Sequence, residues 1–284
     1  MRVVICGASS LVGTHLTKNL ISQKHEIVRI GREHFRDVKY LKNSLEGAHV
    51  VINLCGESFF CKWDEPYKHQ LYVSRIETTK KLIKAISQCE VKPHTYIAAS
   101  STNIYKEELV HNDKSQDFGS NYLALLVKEY ERESKKVEEL GLRCVIFRYG
   151  YILHKTHGIL KMIQKAYFWK FGFLLAKGKP LIAWVDMDDV INSLLYTIDH
   201  KSINGVYNVV SSEVVNIKKF MKILGKVIKK PFLFSMPNVF FKLLYAEGGE
   251  NLLKGSFVVS KKLQEDGFII KNESLEESLK KIYM

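Results

Sequence analysis

The chain has 284 residues, and its 43 Lys and Arg outnumber its 30 Asp and Glu to give a formal net charge of +13 at pH 7. With 46% hydrophobic and 26% charged residues it has the composition of a folded domain, which excludes intrinsic disorder and fibrous repeats. No apolar run approaches the roughly 18 residues of a membrane span, and the start MRVVICG is too short for a signal peptide. We therefore expect a globular cytoplasmic protein.

The first half of the chain alternates short β-branched runs with amphipathic helical stretches. This pattern predicts strands at 2–6, 26–30, 49–54, 94–99 and 142–147, and helices at 11–23, 67–88 and 121–140. Runs such as VVIC and VVINL are continuously apolar, as expected for strands that are buried on both faces. The fold class is therefore α/β, a Rossmann-like doubly wound parallel sheet.

The second half predicts a helix at 159–171, a short strand at 182–184, a helix at 189–198 and a last strand at 206–210. From residue 215 onward the chain is rich in helix formers and lysine, with breaks at Pro231 and Pro237 and a turn at Gly248–Gly249. We expect two domains. Residues 1–210 form the Rossmann-like domain, with 151–185 contributing to a substrate pocket, and residues 211–284 form a small helix-rich C-terminal domain on the substrate side.

The segment GASSLVG directly follows the first strand and opens the first helix. In this context a glycine pattern indicates dinucleotide binding: Gly7 permits the tight turn, Gly13 permits close helix–sheet packing, and the helix N-terminus can hold a pyrophosphate. Ser10 replaces the middle glycine, where its side chain crowds the phosphate but can also donate a hydrogen bond to it. The alternative is an ordinary strand-to-helix turn.

The end of the second strand bears on the choice between NADP and NAD. A cation there accommodates the 2′-phosphate of NADP, whereas a carboxylate binds the ribose hydroxyl of NAD. Arg29 and Arg32 favour NADP, and Glu33 leaves NAD as the alternative.

The positive charge also suits other partners. The lysine pairs lie mostly on predicted helices and no block of five basic residues occurs, so nucleic acid is an alternative that only the net charge supports.

The five cysteines are odd in number and form no C-x-x-C pair, which indicates reduced thiols rather than disulfides or a zinc site. Asp186, Asp188 and Asp189 begin a predicted helix, where carboxylates cap amides, so we expect no metal there. His154 and His157 have no partner at metal-binding spacing and are expected at the surface.

Further motifs point to one family. They are VVINLCGE at 50–57, W…SR-x-ETT within 62–86, AASSTNIY at 98–105, FRYGYIL at 147–153 and AWVDMDDV at 183–190. Through these segments, and through Pro237 and EDGF at 265–268 in the tail, the chain resembles the atypical extended short-chain dehydrogenase/reductases of the nucleoside-diphosphate-sugar-epimerase-like type.

The resemblance implies a set of site residues. Ser100 would face the substrate, and the cofactor would contact Gly7, Ser9, Ser10, Leu11, Val12, Gly13, Arg32, Leu54, Cys55, Gly56 and Arg75. The Y-x-x-x-K pair that transfers protons in the wider superfamily is missing, because Leu126 stands four residues after Tyr122 and Lys128 comes two residues too late. Loss of this pair is usual in the atypical family.

The sequence does not determine which residue replaces the missing proton-transfer pair. Tyr105 lies near Ser100 in sequence, and a phenol with a lowered pKa can serve as an acid or base; the alternative is a packed loop aromatic. The sequence thus predicts an NADP-binding protein, either an oxidoreductase or epimerase acting on a carbonyl or carbinol of a small substrate, such as a nucleotide sugar, or a non-catalytic NADP sensor. It leaves the substrate and the oligomeric state open.

Overall fold

The computed structural model describes residues 1–107, 109–165, 167–168, 171–174, 180–230, 232–235 and 255–284. The breaks predicted at Pro231 and Pro237 and the turn predicted at Gly248–Gly249 lie outside these residues.

Six parallel strands form the central sheet, which confirms the predicted fold class. They are β1 (Arg2–Cys6), β2 (Glu26–Ile30), β3 (Val50–Asn53), β4 (Thr95–Ser101), β5 (Arg143–Tyr149) and β6 (Gly205–Val209). Their order across the sheet is β6-β5-β4-β3-β1-β2. Strand β2 lies on one side of β1, and the strands from β3 onward lie on the other side. The gap between β1 and β3 is therefore a switch point in the strand order, where open α/β sheets bind ligands beyond the carboxyl ends of their strands.

The described residues include ten α-helices: α1 (Leu11–Ser22), α2 (Val38–Leu45), α3 (Glu65–Tyr72), α4 (Thr78–Ser87), α5 (Tyr122–Lys135), α6 (Gly158–Lys165), α7 (Met187–Asp199), α8 (Ile217–Val227), α9 (Lys262–Glu265) and α10 (Leu275–Tyr283). Short 3₁₀ turns follow β2, β4 and α5 at Arg32–Arg36, Thr102–Ile104 and Glu138–Leu140. A π-helical turn, Val73–Glu77, joins α3 to α4.

Alternate residues of each strand enter two hydrophobic cores, one on each face of the sheet. On β1, Val4 packs with α2, α4 and α5, whereas Val3 and Ile5 pack with α1 and α7. This division follows from the side-chain alternation of a strand. It explains why the strands read as continuous apolar runs in the sequence.

Two helix predictions need correction. The helix predicted at 159–171 ends at Lys165, because residues Tyr167–Phe168 and Phe171–Leu174 pair as antiparallel strands. The helix predicted at 67–88 is interrupted by the π-helical turn. Helix α2 and that turn are not predicted from the sequence.

Short strand pairs carry later parts of the chain to the carboxyl edge of the sheet. Tyr151–Leu153 pairs with Trp184–Asp186, Leu181–Ile182 pairs with Val215–Asn216, and Val110–His111 pairs with Phe257–Val258. A third core joins α6, α8 and α10, and it contains residues from both sides of the predicted boundary at 210. Among the described residues, every helix is too short or too polar to cross a membrane.

Candidate functional site

The glycine turn between β1 and α1 is closely packed. Gly7 has φ +77°, and a Cβ there would lie 2.8 Å from the carbonyl oxygen of Leu54. A Cβ on Gly13 would lie 2.5 Å from the carbonyl oxygen of Gly7. Both glycines are therefore required by backbone contacts, and they bring the end of β1, the start of α1 and the loop after β3 together.

The N-terminus of α1 is partly capped by the protein itself. The Oγ of Ser10 accepts a hydrogen bond from the Gly13 amide at 3.1 Å. The amides of Leu11 and Val12 have no acceptor within the helix, as in the first turn of any α-helix. Ser9 is exposed beside them. Ser10 thus acts as an N-cap, and its hydroxyl hydrogen remains available to a phosphate.

The loop after β3 is held by the π-helical turn through Glu57. Its amide donates to the Oγ of Ser74 at 3.0 Å, and its carbonyl accepts from the Nη2 of Arg75 at 2.8 Å. A Cβ on Gly56 would lie 2.8 Å from the Arg75 guanidinium, which also stacks 3.9 Å from the Phe59 ring centre. Burial lowers the pKa of Arg75 to about 10. Its Nη1 is buried and has no hydrogen-bond partner in the described part of the chain.

Arg32 begins the 3₁₀ turn that follows β2. Its side chain is 89% exposed and pairs with the Glu57 carboxylate. Glu33 is also exposed and lies 3.0 Å from Nδ1 of His34. Arg29 is exposed on the edge strand β2. Through Glu57, then, the loop after β3 connects Arg32 to Arg75.

A row of polar residues crosses three strands near their carboxyl ends. Ser100 on β4 is in register with Arg148 on β5, and Arg148 is in register with Asn208 on β6. All three lie on the face covered by α5, because Ala98 and Ile146, two residues earlier on their strands, belong to that core. Arg148 and Asn208 are buried, and Ser100 is partly exposed.

Glu131 on α5, the helix that covers this face of the sheet, binds two members of this row. Its Oε1 accepts hydrogen bonds from the Oγ of Ser100 at 2.6 Å and from the Nε of Arg148 at 2.8 Å, and its Oε2 accepts from Arg148 Nη2 at 2.7 Å. Burial opposes the charge of the Arg148 guanidinium, but the hydrogen bonds and charge of Glu131 raise its pKa. The result is a buried, bidentate ion pair.

Tyr105 is 2% exposed and joins the same network. Its hydroxyl accepts from the Nη1 of Arg148 at 2.9 Å and lies 2.8 Å from the Oδ1 of Asn208, and its ring stacks on His111. The lowered pKa considered for Tyr105 is not found. Burial raises that pKa, although Arg148 counteracts the shift.

Helix α5 places neither Tyr122 nor Lys128 in the network. The hydroxyl of Tyr122 donates to the carbonyl of Lys68 at 2.7 Å, and the Nζ of Lys128 lies 5.7 Å from the ring centre of Phe118. The residues that precede Glu131 by one and two helical turns are apolar, Val127 and Leu123, and both are buried.

A pocket lies at the carboxyl end of β4. It is lined by Thr102, Asn103, Leu123, Tyr151, Ala183 and Ser256, among others. The Tyr151 hydroxyl donates to the Oδ1 of Asn103 at 3.2 Å, and burial raises its pKa. The pocket lies between the loop after β4 and the C-terminal part of the chain.

The other polar clusters behave largely as expected. Asp186 caps α7 by accepting from the amide of Asp188, and Asp189 accepts from the amides of Lys271 and Asn272. The capping prediction is thus confirmed for Asp186. His154 and His157 lie together in an exposed turn, with their Nδ1 atoms 3.3 Å apart.

Four residues of the site are not predicted from the sequence as functional: Glu57, Glu131, Arg148 and Asn208. Arg148 lies within FRYGYIL and Glu57 ends VVINLCGE, so the motifs contained them. Glu131 stands four residues after Val127 and eight after Leu123, a spacing that places all three on one helix face.

Comparison with known proteins decides the family. The model of the NAD dependent epimerase/dehydratase family matches residues 3–210. The chain belongs to this family. It is 27% identical to an epimerase family protein of Staphylococcus saprophyticus over 97% of both chains, and 27% identical to the epimerase family protein YfhF of Bacillus subtilis over 99% of this chain and 98% of that one. A chloroplastic relative from Arabidopsis thaliana is 26% identical over 99% of this chain and 86% of its own.

Solved structures share the fold. The human epimerase family protein SDR39U1, determined with NADPH, superposes with a TM-score of 0.89 at 21% identity over 100% of this chain and 99% of that chain. A UDP-glucuronic acid 4-epimerase from Bacillus cereus, in complex with NAD, gives a TM-score of 0.78 at 16% identity over 100% and 96% of the chains. Nucleotide cofactor binding follows from membership of this family. The family does not determine which cofactor or which substrate is bound.

Proposed function

We propose that this protein binds NADP(H) across the switch point of the sheet, with the pyrophosphate at the N-terminus of α1. The glycine turn is the observation that carries this proposal. Neither Gly7 nor Gly13 has room for a Cβ, and their close backbone contacts hold the N-terminus of α1 at the end of β1. A phosphate there can accept from the amides of Leu11 and Val12. Ser9 and the Ser10 hydroxyl add donors at the same turn.

The loop after β3 would hold the next part of the cofactor. Leu54, Cys55 and Gly56 border the turn, and Arg75 lies under the loop with a buried Nη1–H that has no acceptor among the described residues. A buried donor without a partner is costly, so an oxygen of the dinucleotide is a fitting acceptor.

Arg32 supports NADP rather than NAD. Its exposed guanidinium begins the turn after β2, where the adenosine ribose of a dinucleotide lies in this fold. The 2′-phosphate would take the place of the Glu57 carboxylate beside it. The structure of the human epimerase family protein SDR39U1, which was determined with NADPH, agrees with this choice.

The chemistry we propose is hydride transfer at a carbonyl or carbinol of a small substrate in the pocket next to Ser100. The nicotinamide would supply or accept the hydride, and residues of this chain would orient the substrate oxygen. The second candidate is an NADP sensor without turnover. The apolar residue Leu123 favours the sensor, because it lines the pocket from α5 and offers no proton donor there.

We further propose that the protein acts in the cytoplasm on a small molecule and without nucleic acid. Its location is decided by cell fractionation, since one relative is named chloroplastic. Binding to duplex DNA that weakens steeply with added salt would instead support the nucleic-acid alternative.

Fluorescence titration with NADPH and NADH tests the cofactor. We expect at least a tenfold preference for NADPH, since a charge-assisted hydrogen bond contributes about 1.5–3 kcal/mol, and loss of that preference in Arg32→Ala. Arg36→Ala is the control, because it removes the same charge from the other end of the same 3₁₀ turn. Equal affinities in the wild type, or an unchanged preference in Arg32→Ala, would make Glu33 the candidate ribose ligand.

A further inference from the structure

The polar row across β4, β5 and β6 fixes the direction of its hydrogen bonds. The Nδ2 of Asn208 donates to the carbonyl of Val259 at 3.1 Å, which leaves its Oδ1 to accept from the Tyr105 hydroxyl at 2.8 Å. The other acceptor of that hydroxyl is the carbonyl of Asn112 at 3.1 Å. The phenol oxygen in turn accepts from Arg148, a side chain that can only donate. Each member therefore determines the role of the next.

The same reasoning applies at the other end of the row. The fork of Arg148 donates to both oxygens of Glu131, and an ionised carboxylate can only accept. The 2.6 Å contact between Ser100 and Glu131 must then be a bond in which the serine hydroxyl donates its single hydrogen. The Ser100 oxygen keeps only lone pairs for any other partner.

We propose that Glu131, held by Arg148, is a positioning residue that makes the partly exposed Ser100 hydroxyl a hydrogen-bond acceptor for a ligand. The ligand would lie in the cleft at the carboxyl end of β4, where Thr102, two residues after Ser100, lines the pocket. A ligand group that docks against Ser100 must therefore bring its own hydrogen. Two groups within the proposed function have this chemistry: the carboxamide N–H of a nicotinamide and the O–H of a substrate carbinol. A ketone oxygen receives no hydrogen bond from Ser100.

This inference changes the role expected for Ser100 within the proposed function. A serine that donates to a carbonyl oxygen would help to reduce a ketone. A serine that accepts instead stabilises the alcohol or the carboxamide. The proposed direction at this site is therefore recognition of the carbinol form of the substrate or orientation of the nicotinamide ring.

Neutron diffraction from a deuterated crystal tests the position of the hydrogen without any ligand, so it does not depend on the proposed NADP site. We expect the Ser100 deuteron on the line to Oε1 of Glu131. In Glu131→Ala this acceptor is gone and the Nε of Arg148 remains only a donor, so we expect the deuteron to turn toward the cleft. A deuteron that already points into the cleft in the wild type would overturn the proposal.

A second experiment, which rests on the proposed function, distinguishes the nicotinamide carboxamide from the substrate carbinol as the hydrogen-bond donor to Ser100. The probes are NADP⁺ and its 3-acetylpyridine analogue, in which a methyl ketone replaces the carboxamide and no N–H remains. If the carboxamide donates to Ser100, the wild type binds NADP⁺ about fivefold more tightly than the analogue, and Ser100→Ala and Glu131→Ala reduce this ratio to about one.

Matched controls keep the second experiment interpretable. Glu133→Ala removes another buried carboxylate of α5, outside the network, and we expect it to leave the ratio unchanged. Ser100→Ala leaves the ion pair of Glu131 and Arg148 intact, so it stays informative if Glu131→Ala does not fold. A ratio that Ser100→Ala does not change, together with a Ser100 deuteron directed at Glu131, supports the proposal with the substrate carbinol as the source. Absence of binding by either probe counts against the proposed NADP site and not against the hydrogen position.

Discussion

Substitution of Gly13 by alanine perturbs the cofactor turn with the smallest possible side chain. The added Cβ would lie 2.5 Å from the carbonyl oxygen of Gly7 and 2.8 Å from the Cα of Ala8, whereas ordinary contacts begin near 3.4 Å. All of these neighbours are backbone atoms, so no side chain can move away. The N-terminus of α1 must retreat from the sheet by several tenths of an ångström or more.

We expect two consequences of this retreat. The overpacked contact destabilises the fold by about 1–3 kcal/mol. The displaced amides of Leu11 and Val12 lose charge-assisted hydrogen bonds worth about 1.5–3 kcal/mol each, which weakens NADPH binding by at least tenfold. Gly13→Val would abolish binding or soluble expression.

Nicotinamide fluorescence titration measures the affinity, and urea unfolding measures the stability. Gly47→Ala is the control, because a Cβ there meets nothing within 4 Å and the cost is limited to the left-handed backbone at φ +67°, about 1–2 kcal/mol. It should lower stability and leave affinity unchanged. A soluble, folded Gly13→Ala protein that binds NADPH as tightly as the wild type would show that this turn does not hold the pyrophosphate.

Four further predictions concern other parts of the molecule. Ser10→Gly costs only a few tenths of a kcal/mol as a cap, and we expect NADPH affinity by titration to hold or improve, because less crowding at the phosphate offsets the lost hydroxyl donor; a large loss of affinity would mean that the hydroxyl contact outweighs the crowding. Arg75→Met weakens NADPH binding at least tenfold because the buried Nη1 donor is lost, and a folded variant with unchanged affinity would contradict its contact. With cofactor bound, oxidation or epimerisation of common nucleotide sugars is slow or absent in stopped assays, because the proton-transfer pair that contributes about 10²–10⁴-fold is missing; fast turnover that collapses in Tyr122→Phe or Lys128→Ala would refute this. Burial raises the pKa of Cys144 from 9.0 to about 12, so the native state keeps a proton that the unfolded state loses, and stability falls as pH rises from about 9 to 12. Cys144→Ala should reduce that fall in urea unfolding at pH 8 and pH 10, and an equal fall in both proteins would contradict the assignment.

The sheet could be predicted because its strands carry their own signal. Buried parallel strands are apolar on both faces, so all six predicted strands lie within two residues of the observed ones. The turn from Gly7 to Gly13 is also local, since strand, glycines and helix follow each other in the chain. Ser10 caps α1 through the same local geometry, because the amide it accepts from belongs to Gly13, three residues later.

The polar row could not be predicted because it depends on contacts between distant segments. Ser100, Arg148 and Asn208 meet only through the order and register of three strands, which the sequence does not state. Helix α5 carries Glu129, Glu131 and Glu133, and only the docking of the helix decides which one reaches Arg148. The π-helical turn that places Arg75 has the same local sequence pattern as an α-helix, so hydrophobic periodicity extends through it.

Native mass spectrometry of the protein mixed with equal concentrations of NADPH and NADH tests the central claim most directly. Binding at the turn that begins with Gly7, together with the contact from Arg32, predicts a single bound dinucleotide whose mass is that of NADPH in at least tenfold excess over NADH. A spectrum without a dinucleotide complex, or one in which the bound mass is mainly that of NADH, would contradict the account.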